Sequence, residues 1–116
     1  MDVYHIWFNL KDGVRDTEFA DAARAYLDHL RDGGMVAGYR MTRRKLGLGH
    51  PSLPEWHVTL DFENMAQMDR AFERVSARAD PVESFHQQVN SKVRDIFFAL
   101  YRDFPEPQRV RGEEKF

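Results

Sequence analysis

Apolar and polar residues alternate along VYHIWFNL, residues 3–10, and the run stops at Lys11-Asp12-Gly13. Alternation with β-branched and aromatic residues predicts a half-buried strand closed by a turn. Tyr4, Ile6, Phe8 and Leu10 share one face, and Val3, His5, Trp7 and Asn9 the other. The period then changes. Phe19, Ala22, Ala23, Tyr26, Leu27 and Leu30 recur at intervals of three and four, which predicts a helix over 17–32 with one buried stripe. Asp16 or Thr17 supplies its cap and Gly33-Gly34 its left-handed stop. A second strand over 35–45 puts Tyr39 and Met41 on its apolar face and Arg40, Thr42 and Arg44 on the other. GLGHPSLP, residues 47–54, is a loop by its glycines and prolines. The strictest alternation is EWHVTLDFE, residues 55–63, with Trp56, Val58, Leu60 and Phe62 opposed to His57, Thr59 and Asp61.

Asn64 with Gln67 three residues on reads as a capping box, and Met65, Met68, Phe72, Val75 and Ala79 form the stripe of the helix that follows. Asp80-Pro81 starts a short third helix over 81–91 that buries Val82, Phe85 and Val89. RDIFFALY, residues 94–101, predicts a last strand with two largely apolar faces. The domain thus spans residues 1–104, and the tail over 105–116, with two prolines and mixed charge, reads as a mobile or partner-clasping arm.

The order β-α-β-β-α-(α)-β is the ferredoxin-like split βαβ pattern, an α+β sandwich with a four-stranded antiparallel sheet. An internal echo supports it. Tyr4 to Leu10 and Trp56 to Phe62 share the template aromatic, His, aliphatic, variable, apolar, Asn or Asp, apolar, at a separation of 52 residues. Two βαβ halves related by a pseudo-twofold would repeat in this way. Both helices cover one sheet face, so the other must carry His5, Trp7, Asn9, Arg40, Thr42, His57, Thr59 and Asp61 beside the apolar last strand. An exposed patch of that kind marks an interaction surface. The economical expectation is a homodimer whose two sheets face each other and enclose a barrel.

Composition narrows the function classes. The chain has 116 residues and no cysteine, which excludes disulfide scaffolds, cysteine catalysis and zinc ribbons. Its net charge of −2 is a poor footprint for nucleic acid. The aromatic of HIWFNL has the wrong parity for an RNA-binding strand, and EWHVTLDF lacks the Arg/Lys-Gly-aromatic pattern, so base stacking on the sheet is rejected. No apolar run approaches the ~20 residues of a membrane span. MDVYHIWFNL is acidic and strand-like rather than a signal peptide. The expectation is a soluble cytoplasmic protein that binds neither membrane nor nucleic acid.

The two strand histidines are the sharpest chemical feature. If the first and third strands pair about Trp7 and Thr59, His5 lies opposite Asp61 and Asn9 opposite His57. Opposed Cβ atoms ~4.5–5.5 Å apart allow a His–carboxylate hydrogen bond that sets the tautomer and raises basicity. Hence His5, His57 and Asp61 are the candidate catalytic residues. Trp7, Asn9, Arg40, Thr42 and Thr59 are the candidate ligand-binding residues. His5, His57 and Asp61 are also metal-ligand types, but no HExxH or close histidine cluster accompanies them, and no metal is expected. His29, His50 and His86 read as surface or capping residues. Arg43, Arg44 and Lys45 read as charges protecting an edge strand, while Arg40 suits either that role or the grip of an anionic ligand.

The order of elements, the length, the polar-aromatic sheet face and the extra helix before the last strand resemble the dimeric α/β-barrel superfamily. It includes antibiotic-biosynthesis-type monooxygenases, muconolactone isomerases, EthD-like proteins and stress-responsive barrel proteins. VYHIWFNLKDG and ALYRDFPE are similar to segments of a small bacterial family of uncharacterised domains within it. The resemblance implies a dimeric barrel without a cofactor. It also implies a pocket of Asn, Trp, Tyr, His and Arg, residue types that Asn9, Trp7 and His57 supply. Two functions follow from it. One is a cofactor-free monooxygenase or isomerase acting on an aromatic or polyketide-like substrate, with Trp7 stacking on it, His5 or His57 moving a proton, and Arg40 or Asn9 stabilising negative charge. The other is a non-enzymatic, stress-related dimer that shelters an apolar ligand.

Overall fold

A computed structural model describes residues 1–110 of the chain. The elements are β1 (Asp2–Leu10), α1 (Asp16–Asp32), β2 (Gly38–Arg43), β3 (Trp56–Phe62), α2 (Met65–Ser76), α3 (Val82–Asn90) and β4 (Val93–Arg102). Most boundaries have a local cause; the start of α1 is an exception, since Arg15 rather than Asp16 or Thr17 is its N-cap and makes no side-chain capping bond. Helix α1 ends at Gly33, and Gly34 follows at φ +75°, a left-handed position that glycine takes without cost. Asn64 Oδ1 accepts from the Gln67 backbone N–H at 2.9 Å and so caps α2. Gln67 reaches back one residue further than a capping box, its Oε1 accepting from the Glu63 N–H at 2.8 Å. Asp80 accepts from the Ser84 N–H at 3.2 Å at the start of α3.

Strand order is β2-β3-β1-β4, antiparallel throughout, with β1 and β3 in the centre. This is the ferredoxin-like arrangement. The expected barrel is corrected, however: the sheet is open. β2 pairs only with β3 and β4 only with β1, which leaves two free edges, and a barrel has none.

Parity follows the alternation. Phe8, Trp56, Val58, Leu60 and Phe62 point to the helices and are buried with Phe19, Ala23, Leu27 and Leu30 of α1. Helix α2 departs from its expected stripe. Met68 is buried as expected, but Met65 and Phe72 are 51% and 44% exposed, and Gln67 and Ala71 turn inward in their place. Gln67 is satisfied there because its Nε2 donates to the Gly34 carbonyl at 3.0 Å, tying α2 to the end of α1. Strand β4 is exposed on both faces: Phe98 and Leu100 on the helix side, Phe97 and Tyr101 on the other. Opposite Phe8, a bulge breaks its register with β1, and Asp95 sits there at φ +56° with its carboxylate held by the Asn9 side chain at 3.2 Å. Beyond β4, Glu106 accepts from Arg102 and Arg109 at 2.8 and 2.9 Å, which holds the first part of the tail against the domain. The rest of the expected arm, 111–116, lies outside the described residues.

Candidate functional site

On the sheet face away from the helices, the strand pairings line up side chains in rows. One row is Gly38, Asp61, Val3, Tyr101; the next is Arg40, Thr59, His5, Ala99; the third is Thr42, His57, Trp7, Phe97. His5 is therefore opposite Thr59, two residues away from the register that would oppose it to Asp61. The expected His5–Asp61 pair does not form. A shift of two residues keeps every side chain on its face but moves each one to a diagonal neighbour.

The shift brings the two histidines together. His5 Nδ1 lies 3.0 Å from His57 Nε2. Their ring centroids are 5.2 Å apart and their planes 11° apart, so the rings meet nitrogen to nitrogen, close to a common plane. That geometry shares one proton between the two rings. Their lone pairs point at each other rather than converging on a third point, so the pair does not chelate a metal as it stands. Among the described residues, no group of three or more His, Asp or Glu is placed to hold a metal ion. The Trp7 indole lies parallel to the His57 ring, 2° between planes and 4.5 Å between centroids, and its centroid is 5.4 Å from that of His5. Tyr101 meets His5 edge-on at 4.8 Å. Burial, then the neighbouring His5 charge, pull His57 below the ordinary histidine value.

The other candidates on this face are scattered around the pair. Asn9 accepts from the Glu55 backbone N–H at 2.9 Å and joins the β4 bulge to the end of the β2–β3 loop. Thr42 donates to the His57 carbonyl at 3.2 Å. Arg40 and Asp61 border the pair on the β2 side, in adjacent rows. Arg43 points to the helix side, where its guanidinium lies over Trp56 at 5.1 Å and pairs with Asp16 and Glu55 at 3.0 and 2.9 Å. It is a tie between β2 and α1 rather than only an edge charge.

The larger concavity is on the opposite side of the sheet, and sequence reasoning missed it. A cleft of about 640 Å³ lies between the sheet and the helix layer. Its floor is Tyr4, Ile6 and Phe98, and its walls include Tyr26 of α1, Phe72 and Val75 of α2, and His86 and Val89 of α3. The lining is mainly apolar, as ligand sites are, with polar groups confined to a few points. The Tyr26 ring meets the His86 ring edge-on at 5.8 Å. Burial, followed by the nearby Glu83 carboxylate, pushes the Tyr26 hydroxyl up to about 12, so it stays a neutral donor at ordinary pH. In the sequence, Tyr26 belongs to a core stripe and His86 to a solvent face. Only the stand-off of α2 and α3 from β1 and β4 exposes them to a common space.

Several solved structures share this fold. At3g17210 of Arabidopsis thaliana superposes with a TM-score of 0.70 at 10% identity, over 89% of this chain and 95% of that one. A variant of SnoaB, a cofactor-independent oxygenase from Streptomyces nogalater, gives 0.69 at 6% identity over 93% and 97%. A dimeric ferredoxin-like protein of unknown function from Jannaschia sp. CCS1 gives 0.65 at 13% identity over 89% and 100%. Proteins of the same fold from Bacteroides fragilis and Thermobifida fusca are also described as dimeric. At these identities the likeness establishes the fold. No curated protein matches the sequence. One family model matches residues 1–116, and the chain belongs to that family, the family of unknown function DUF6614.

Proposed function

For this member of a family of unknown function, we propose a ligand-binding homodimer that takes a planar, mainly apolar small molecule into the cleft between sheet and helices. The cleft carries the proposal: at about 640 Å³ it has the volume of a small-molecule site and a lining of aromatic and aliphatic side chains. Tyr4, Phe72 and Phe98 offer ring faces and edges to a flat ligand, and Tyr26 and His86 offer it polar contacts. Dimerisation is supported by the exposed aromatics Phe97 and Tyr101 beside Trp7 on the open face, and by the dimeric proteins of the same fold. Under this reading His5, His57, Asp61, Trp7, Asn9, Arg40, Thr42 and Thr59 serve the contact between copies.

A cofactor-independent oxygenase or isomerase reaction is the second reading. It is favoured by the Tyr26–His86 contact at the cleft wall, where a neutral phenol can donate a hydrogen bond to a bound carbonyl and an imidazole can take the proton from the carbon beside it. The fold likeness to SnoaB agrees with it.

The test is titration with 2-naphthol followed by NMR. Shifts are expected at Tyr4, Tyr26, Val75, His86 and Val89, and not at Trp7 or His57. Val75→Trp, which fills the cleft, should weaken binding at least tenfold. Absence of binding at millimolar probe, or shifts confined to the open face, would overturn the proposal.

A further inference from the structure

The open sheet face combines an apolar strip with two imidazoles that share one hydrogen bond and become charged only when an outer ring nitrogen takes up a proton. Val3, Trp7, Phe97 and Tyr101 form the strip on the β1–β4 side. The His5–His57 pair lies in the middle of the face, beneath the Trp7 plate. We propose that two copies of this chain pack open face to open face, and that protonation of the His5–His57 pair releases them.

The inference rests on the homodimer proposed above and adds its regulation. A second copy is the occupant because the face is self-complementary. Arg40 and Asp61 sit in adjacent rows on the β2 side, so a twofold axis can place the guanidinium of one copy against the carboxylate of the other, and the apolar strips against each other.

The neutral pair has its inner nitrogens satisfied by the shared proton and can be covered without leaving a charge. An added proton leaves a positive charge in a contact that water has left; the Trp7 face offsets part of that cost, and the rest of the burial is unfavourable. The surrounding groups do not neutralise it. From β2, Arg40 is of like sign, with Thr42 neutral; from the β2–β3 loop, Arg44 is of like sign and the Glu55 carboxylate is paired with Arg43; from β3, Thr59 is neutral and Asp61 lies diagonally from His5. From β4, Tyr101 is neutral and Asp95 is held by Asn9 and Arg94. Among the described residues, Asp61 is the one unpaired carboxylate in position to answer the charge, and in the dimer it is engaged by the guanidinium of the other copy. The sign follows. Covering the pair favours its neutral form, so association is full above the histidine range and lost as pH falls through it.

Sedimentation velocity on the full chain from about pH 8 to about pH 5 tests this. The dissociation constant should rise at least about tenfold, since each copy buries one such pair. His57→Gln, which keeps a hydrogen-bonding side chain but leaves only one imidazole of the pair, should dimerise with a clearly shallower pH profile. A dimer whose strength does not change with pH, or a His57→Gln dimer that keeps the full dependence, overturns the gating and leaves the dimer standing. A chain monomeric at every pH overturns the dimer itself. If His57→Gln does not fold, imidazole NMR on the unaltered chain decides. The His57 ring should titrate at a lower midpoint in concentrated than in dilute samples, and a midpoint independent of concentration overturns the gating.

Discussion

Gln67 shows how one buried polar side chain organises this small fold. It is 8% exposed, and its amide joins three pieces of chain: it accepts from Glu63 N–H and donates to the Gly34 carbonyl, while its backbone N–H is held by Asn64. Gln67→Ala removes both hydrogen bonds, and because Glu63 and Gly34 are exposed enough for water to take over, the cost should be about 1–2 kcal/mol. Urea denaturation should show it as a lower midpoint with an unchanged slope. Tyr26 makes the second prediction at this scale. Its hydroxyl, pushed up to about 12 by burial and by Glu83, ionises in the unfolded chain before it does in the folded one. Stability from this group is complete below the ordinary tyrosine range and falls as pH rises through it. Burial raises Tyr4 and Tyr39 as well, so ultraviolet titration should show a drawn-out late phase, and Tyr26→Phe should abolish its last step. The partners of His5 belong here too. Alternation told which face each side chain takes, but a slip of two residues preserves every face, so periodicity is blind to whether His5 meets Asp61 or His57.

The elements were more legible than their contacts. Every strand and helix appears within a few residues of its sequence signal, because caps and stops are local: Asn64 and Gly34 act on backbone groups within a turn of themselves. Asn64→Ala should therefore cost about 1 kcal/mol, measured as a drop in the thermal midpoint, without altering the cleft. The stripe of α2 was read less well. Met65 and Phe72 fit a helical period, but the fold turns Gln67 and Ala71 inward, since Gln67 must reach Gly34 across the layer. That contact is between elements, and no period within α2 records it. The cleft has the same origin. It exists because α3 packs on α1 more extensively than on α2, leaving the floor of Tyr4, Ile6 and Phe98 uncovered.

For the whole molecule, the sheet separates two surfaces with different proposed tasks, and a single substitution can test that separation. Phe97 is 52% exposed and shares a row with Trp7 and His57 on the open face, while Phe98, its neighbour in sequence, lines the cleft on the other side. Phe97→Lys removes little buried surface from a single chain, so the fold should keep its stability within about 0.5 kcal/mol, as exposed substitutions do. In a face-to-face dimer the same side chain places an ammonium beside an apolar strip and the histidine pair, with Arg40 adding like charge. Sedimentation should then find a monomer at concentrations where the unaltered chain is dimeric. Binding of 2-naphthol in the cleft should persist with its affinity changed less than threefold, since the sheet stands between the two sites. Loss of both dimer and binding would mean that the cleft needs the second copy to hold its shape, and that the two surfaces act as one site.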